Sequence, residues 1–267
     1  MSTATALEPI GYACPKCKRP LCPADDALNC SECNRTYPIV SDIPDFISGD
    51  VGPDVAPVLR MARKVDFLAP IYESRFWYQL LLNLSGAGSS SLRSIASFHA
   101  ETLGGVAGSV LDVACGTAAY TRRIASPSRD VYGIDISMGM LRRGMAYVAR
   151  DGMPGVHLAR ARVEELPFEN AIFDGVICSG SLHLFPDTVL ALREIARTMK
   201  AGAPLSVQTF IAGGQSAFMR LLGKWRSVKA FELPQLQQYL AEAGFEDFQP
   251  EIDGIFLTFS ARKAARA

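Results

Sequence analysis

The sequence predicts an α/β fold: a seven-stranded, mostly parallel sheet with helices on both faces, preceded by a small cysteine-rich module. Three observations lead there. An apolar run, Val110-Leu111-Asp112-Val113, breaks into the small residues Ala114-Cys115-Gly116-Thr117-Ala118. A helical pattern follows, with Tyr120, Ile124 and Ala125 on one face. A second strand, Val131–Asp135, ends on a carboxylate about twenty residues after Asp112. The chain closes on a helix and two short strands that read as an antiparallel hairpin.

In chain order, residues 1–9 read as disordered, and residues 10–48 hold five of the seven cysteines. The stretch GDVGPDVAPV (49–58) is rich in Gly, Pro and Asp and reads as a linker. Helical patterns run from about Val58 to Leu84 and around Leu92–Leu103, separated by the Gly/Ser segment Gly86–Ser91. Residues 49–105 therefore form a linker with helices, and the α/β domain proper spans 106–267. A further strand is expected at Phe173–Cys178. Leu233–Ala243 reads as a helix, with Pro234 in its first turn and Gly244 as its stop. Phe245–Pro250 and Ile255–Ala261 are the strands of the hairpin.

Composition agrees with one α/β domain plus an appendage. Apolar residues make up 49% of the 267-residue chain. The 27 basic and 27 acidic residues give a formal net charge of zero. That balance offers no support for a nucleic-acid footprint, although it leaves room for a local basic patch. No apolar run approaches the roughly 18 residues of a membrane span. No secretory signal pattern opens the chain. The expected compartment is the cytoplasm, or an organelle stroma if a transit peptide has been removed.

The strand–loop–helix at 110–125 places backbone groups around a ligand at the strand's C-terminal edge. In that geometry Asp135 accepts hydrogen bonds from a ribose diol. The loop lacks the G-x-G-x-x-G of a dinucleotide site, and no P-loop lysine follows. A nucleoside cofactor without phosphates fits better. The alanine methyls at 114 and 118 narrow the loop, and are tolerated if neither position takes positive φ.

The cysteine module reads as metal chemistry. Cys14-Pro-Lys-Cys17 and Cys30-Ser-Glu-Cys33 form two knuckles separated by twelve residues. Four thiolates close a tetrahedral shell, the pattern of a structural zinc site with no open position for catalysis. A module of this size has too little core to fold alone, so metal would supply much of its stability. Disulfides and unmetallated thiols are the alternatives, and Cys22 is the spare cysteine.

VLDVACGTAAY (110–120) resembles the first motif of the class I S-adenosylmethionine (SAM) methyltransferases, a Rossmann-like family. VYGIDISMGML (131–141), LPFENAIFDGVICSGSLHLF (166–185) and LREIARTMKAGAPL (192–205) are similar to the motifs that follow it, in the same order. The first module, CPKCKRPL…LNCSECNRTYPIVSDIPDF, resembles the zinc ribbon of bacterial 23S rRNA guanine-N1 methyltransferases. It also resembles the ribbon of plastid methyltransferases of plants and their bacterial relatives. The second group shares the forms SLHLFPD…EIAR and FLTFSARK.

The resemblance implies SAM as cofactor and S-adenosylhomocysteine as product, with the methyl passing by an in-line SN2 step. It implies that Asp112 holds the methionyl amino group, while Ala114, Cys115, Gly116 and Thr117 contact the methionyl part through backbone atoms. Ile136 and Met140 sandwich the adenine. Relatives carry Asp where this chain has Arg162. Arginine has no acceptor for the adenine amino group, but it can stack on the base while the Val163 amide reaches the ring and Glu164 compensates. The segment 66–78 corresponds to a lid, in which Tyr72 contacts donor or acceptor; core packing of an amphipathic helix is the alternative.

His183 is the candidate general base, against a purely structural role. Ser179 and Ser181 are candidates for orienting substrate. Phe210, Phe218, Met219 and Trp225 suit a small apolar or aromatic acceptor. The leading expectation is O-methylation of an aromatic, quinone-like or secondary-metabolite acceptor. An rRNA base methyltransferase would instead need a basic face joining Lys16, Lys18, Arg19 and Arg35 to the site mouth. A non-catalytic SAM-binding scaffold is the third reading. The sequence assigns no oligomeric state.

Overall fold

The structure, a computed structural model, describes residues 11–48, 66, 92–211 and 230–265. The tract from about Val58 to Leu84, Tyr72 within it, and Phe218, Met219 and Trp225 lie outside the described residues, Asp66 excepted.

The cysteine module is a four-stranded antiparallel sheet: β1 (Cys22–Ala24), β2 (Ala27–Cys30), β3 (Arg35–Val40) and β4 (Ile43–Pro44). Helix α1 (Leu92–Leu103) leads into β5 (Gly108–Val113), the short α2 (Thr121–Ile124) and β6 (Arg129–Asp135). Then come α3 (Met138–Asp151), β7 (Val156–Arg160) and β8 (Gly175–Ser179). The chain continues through α4 (Thr188–Thr198), β9 (Pro204–Phe210) and α5 (Leu233–Glu242), and ends on β10 (Phe245–Asp253) and β11 (Phe256–Lys263).

The large sheet has seven strands in the order β10-β11-β9-β8-β5-β6-β7. Strands β9, β8, β5, β6 and β7 are parallel, and β11 runs antiparallel to both β9 and β10. The expected seven-stranded sheet with an antiparallel last strand is therefore present. Its central strands are buried on both faces, so β5 and β8 read as continuous apolar runs rather than as alternating patterns.

Local chemistry sets the helix ends. The Ser137 hydroxyl accepts from the Met140 amide at 3.0 Å and caps α3, and Gly152 in the left-handed region (φ 63°) ends it. Met140, Leu141, Gly144 and Val148 share the buried face of α3. The Asp187 carboxylate caps α4 through the Leu190 amide. Helix α1 lies on the sheet through buried Ile95 and Leu103, and His99 Nδ1 meets Ser206 Oγ of β9 at 2.8 Å. The helix expected after the first loop is short, covering only Thr121–Ile124.

Strand order reverses at β5: the chain moves one way to β6 and β7, and the other way to β8 and β9. The crevice at the C-terminal ends of β5, β6 and β8 is the switch point where such sheets bind ligands. Register places Asp112 beside Gly133 and Ile177, and Val113 beside Ile134 and Cys178. Gly133 is small for a reason. A Cβ there would lie 2.7 Å from Leu158 Cδ2 and 2.8 Å from Cys115 Sγ. The loop after β5 can lie against β6 only because no methyl intervenes. The Gly133→Ala variant is expected to lose about 1–3 kcal/mol of stability by overpacking, measured by denaturant titration. Unchanged stability would show that the loop is not packed on that strand.

Candidate cofactor site and thiol cluster

Two carboxylates meet at the switch point. Asp112 is buried, and its Oδ2 accepts from the Thr121 hydroxyl at 2.6 Å. Asp135, at the end of β6, accepts from the Gly116 amide at 2.9 Å and the Ser137 amide at 2.8 Å. Burial raises both, and repulsion from Asp135 adds to the shift that takes Asp112 to about 7. Among the described residues neither carboxylate has an ion-pair partner. The Ser179 hydroxyl, at the end of β8, is likewise buried without a hydrogen-bond partner among them. Buried Asp112 and Ser179 Oγ beside half-buried Asp135 call for a ligand that brings a cation and hydroxyls.

The loop between the strands departs from the expectation made for it. Ala114 (φ 58°) and Ala118 (φ 61°) both take positive φ, as does Gly116 (φ 55°). The loop keeps the backbone path that glycines would follow, and the alanines carry the strain. The Cys115 amide donates to the Ile134 carbonyl at 2.9 Å, its side chain is buried, and burial holds its thiol protonated. Thr117 is fully buried.

Ile136 is half-buried and Met140 is buried beside it in the turn and first residues of α3. Val163 is buried and begins a single 3₁₀ turn. Arg162 faces Glu164 at 3.5 Å, so the residue that departs from the relatives meets the acid expected to compensate for it. Asp66 comes from the segment expected as the lid. Its carboxylate accepts from the Ser137 hydroxyl and from the Gly139 amide at 3.2 Å. The sequence reading gave Asp66 no role; a lone acid in an aromatic-rich stretch carries no signal of its distant partner.

His183 is buried, with Nδ1 3.3 Å from the Thr209 hydroxyl and its ring 4.5 Å from that of Phe210. Burial lowers it to about 4. Phe210 in turn packs on Phe256, giving a half-buried aromatic strip beside the ends of β8, β9 and β11. Ser181 donates to the Ser179 carbonyl at 3.0 Å.

The sulfur atoms of Cys14, Cys17, Cys30 and Cys33 all lie within 4.8 Å of one another. An ion with bonds of about 2.3 Å to four sulfurs holds them about 3.8 Å apart, so the cluster fits zinc. Burial raises the Cys14 thiol, but hydrogen bonds from the Tyr37 hydroxyl and the Cys17 and Lys16 amides outweigh it and hold the group at about 6. Cys22 is exposed and outside the cluster.

The family described as "Methyltransferase domain" matches residues 110–202. An uncharacterised chloroplastic methyltransferase of Arabidopsis thaliana is 25% identical over 94% of this chain and 78% of its own. A demethylmenaquinone methyltransferase of a Geobacillus species is 31% identical over 52% of this chain and 71% of its own. Phosphoethanolamine N-methyltransferase 2 of Haemonchus contortus, solved with S-adenosyl-L-methionine, superposes with a TM-score of 0.64 at 17% identity, over 86% of this chain and 62% of its own. That likeness shows the shared fold. The chain belongs to the class I SAM-dependent methyltransferases.

Strain in the loop makes a testable difference. Left-handed alanine costs about 1–2 kcal/mol, and glycine returns about 0.5–1 kcal/mol of that through its freer unfolded state. Ala114→Gly is therefore expected to raise stability by about 0.5–1 kcal/mol in denaturant titration. Ala118→Gly should gain less, because the Ala118 methyl is fully buried in the core. A loss of stability at position 114 would contradict the strained backbone.

Proposed function

We propose that the crevice formed by Asp112, the 114–117 loop, Asp135, Ile136, Met140, the 162–163 segment and Ser179 holds SAM, and that the enzyme methylates a small aromatic or quinone-like acceptor. Buried Asp112 and half-buried Asp135, with no counter-cation among the described residues, carry this reading. Asp112 holds the methionyl ammonium, and Asp135 accepts from the ribose hydroxyls while its two amide bonds keep the oxygens aimed. Ile136 and Met140 form the adenine shelf, and the Val163 amide and Arg162 close its far side. Tyr72 contacts donor or acceptor from the lid. When bound, the cofactor supplies a methyl activated by its sulfonium.

The chain's own residues align the acceptor with that methyl. The strip of Phe210 and Phe256 suits an aromatic ring, and the naming of several relatives as demethylmenaquinone methyltransferases supports an acceptor of that class. His183 is neutral at physiological pH. A base this weak takes a proton only from a hydroxyl already acidified as the oxygen–methyl bond forms, so His183 first orients the acceptor and then receives its proton. The four thiolates of the ribbon hold structural zinc and take no part in the transfer.

Pairing of two of the basic residues on which the RNA reading depends supports the small-molecule reading. Lys16 is paired with Glu165 at 2.7 Å and Lys18 with Glu194 at 3.0 Å, so two of the four basic residues tie the ribbon to the domain.

Isothermal titration of SAM tests the donor site. The wild type is expected to bind in the micromolar range, and Asp135→Ala to weaken binding more than about tenfold through loss of two ribose hydrogen bonds. Absence of binding to the wild type would contradict the site. A second outcome follows from Asp112. Because its folded value lies above the ordinary carboxylate range, its contribution to stability is present below that range and is lost as pH rises towards 7. A bound ammonium favours the carboxylate, so SAM binding between about pH 5 and 7 should release a proton. Titrations in buffers of different ionisation enthalpy should show that proton in the wild type and not in Asp112→Asn. Equal proton release from both would place the titrating group elsewhere.

A further inference from the structure

The ribbon docks on the two segments proposed to hold the adenosine half of the cofactor. Strand β7 is the edge of the large sheet, and Asp45, just past β4, extends it through a parallel bridge to Arg160. The Phe46 amide donates to the Arg160 carbonyl at 2.8 Å, and the Ala161 amide donates to the Asp135 carbonyl at 3.0 Å. The Arg160 guanidinium then spans the seam. Its Nη1 donates to Asp45 Oδ2 at 3.0 Å, and its Nε donates to the Ile136 carbonyl at 2.9 Å.

The carboxylate end of this bridge is rigid. Asp45 is only 2% exposed, and its Oδ1 accepts from the Ile47 and Ser48 amides at 3.0 Å each. The carbonyl end belongs to the turn Asp135-Ile136-Ser137. A planar fork is needed to meet both at once; a lysine offers a single point.

A second seam holds the segment after β7. The Ala13 amide donates to the Pro167 carbonyl at 2.9 Å, and Ala13 directly precedes the thiol ligand Cys14. Lys18 reaches both the Leu166 carbonyl and Glu194, and Glu194 also accepts from the Leu166 amide at 3.1 Å. Tyr12 packs on Phe168 with ring centres 5.6 Å apart. The ribbon therefore grips the turn after β6 and the loop after β7 together.

We propose that Arg160 is a positioning residue for the cofactor, and that through Arg160 and Asp45 the ribbon sets the affinity of the SAM site. The inference rests on the donor-site reading above. Coupling of this kind is reciprocal: a ribbon ordered by its metal tightens SAM, and SAM tightens the ribbon's hold on the metal by the same factor.

The full-length protein is titrated with SAM and with adenosine, as the wild type, Arg160→Lys, Asp45→Asn and the double variant. Each single variant is expected to weaken SAM about tenfold and adenosine in the same ratio, with the double variant no weaker than either single. Circular dichroism establishes that each variant is folded. SAM affinities within about twofold of the wild type in folded variants would overturn the proposal and leave the donor site standing. Failure of the wild type to bind SAM would overturn both. A second measurement needs no variant. The zinc-loaded wild type competes with a chromogenic chelator, with and without SAM. SAM is expected to strengthen zinc retention about tenfold; unchanged retention in a protein that binds SAM would overturn the proposal.

Discussion

The Asp135 carboxylate joins the two loops on which the site depends. Its oxygens accept from Gly116 in the loop after β5 and from Ser137 at the start of α3. The loop after β5 is tied to β6 itself through the Cys115 amide and the Ile134 carbonyl. These bonds are possible because β5 and β6 are parallel neighbours in register, with Gly133 leaving room for Cys115. Sheet topology thus sets the register, the register sets the loop, and the loop sets where a ribose and a methionyl group would lie. Buried Asp112 beside half-buried Asp135, with no cation among the described residues, opposes stability in the absence of a ligand. A ligand carrying an ammonium and a diol removes that opposition, which is the physical basis for reading the crevice as a SAM site.

The ribbon is part of the same construction. Its aromatic residues Tyr37 and Phe46 and its clustered cysteines Cys14 and Cys30 belong to one hydrophobic core with Leu166, Phe168 and Phe173 of the large domain. Its lysines are engaged with Glu165 and Glu194 at the seam. A module too small to support a core of its own is completed by the methyltransferase domain on one side and carries, on the other, a thiol cluster that fits a metal. That arrangement favours a structural clasp over a detachable binding module.

What could be read in advance was local. The strands at 110–113 and 131–135, the helix at Leu92–Leu103 and the closing hairpin all announce themselves by apolar period, small-residue turns and a Gly stop. The four cysteines are legible because metal ligation imposes spacing on the chain. What escaped was non-local. Strand β7 lies at a sheet edge and carries His157 and Arg160 among its apolar residues, so no continuous apolar run marks it. The Arg160–Asp45 bridge joins positions far apart in sequence, and neither residue carries a local sign of it. The left-handed alanines escaped for another reason: residue identity argues against positive φ, and only the surrounding bonds compel it. His183 was legible as a residue at the right strand end, but not as a buried imidazole, because burial depends on Phe210 and Thr209 from a neighbouring strand.

Amide hydrogen exchange, followed by mass spectrometry with and without S-adenosylhomocysteine, tests the central claim most directly. Protection is expected in peptides covering 112–118, 135–140 and 161–166, and not on the far edge of the sheet in β10. Protection confined to other segments, or none at saturating ligand, would contradict the site built on Asp112 and Asp135.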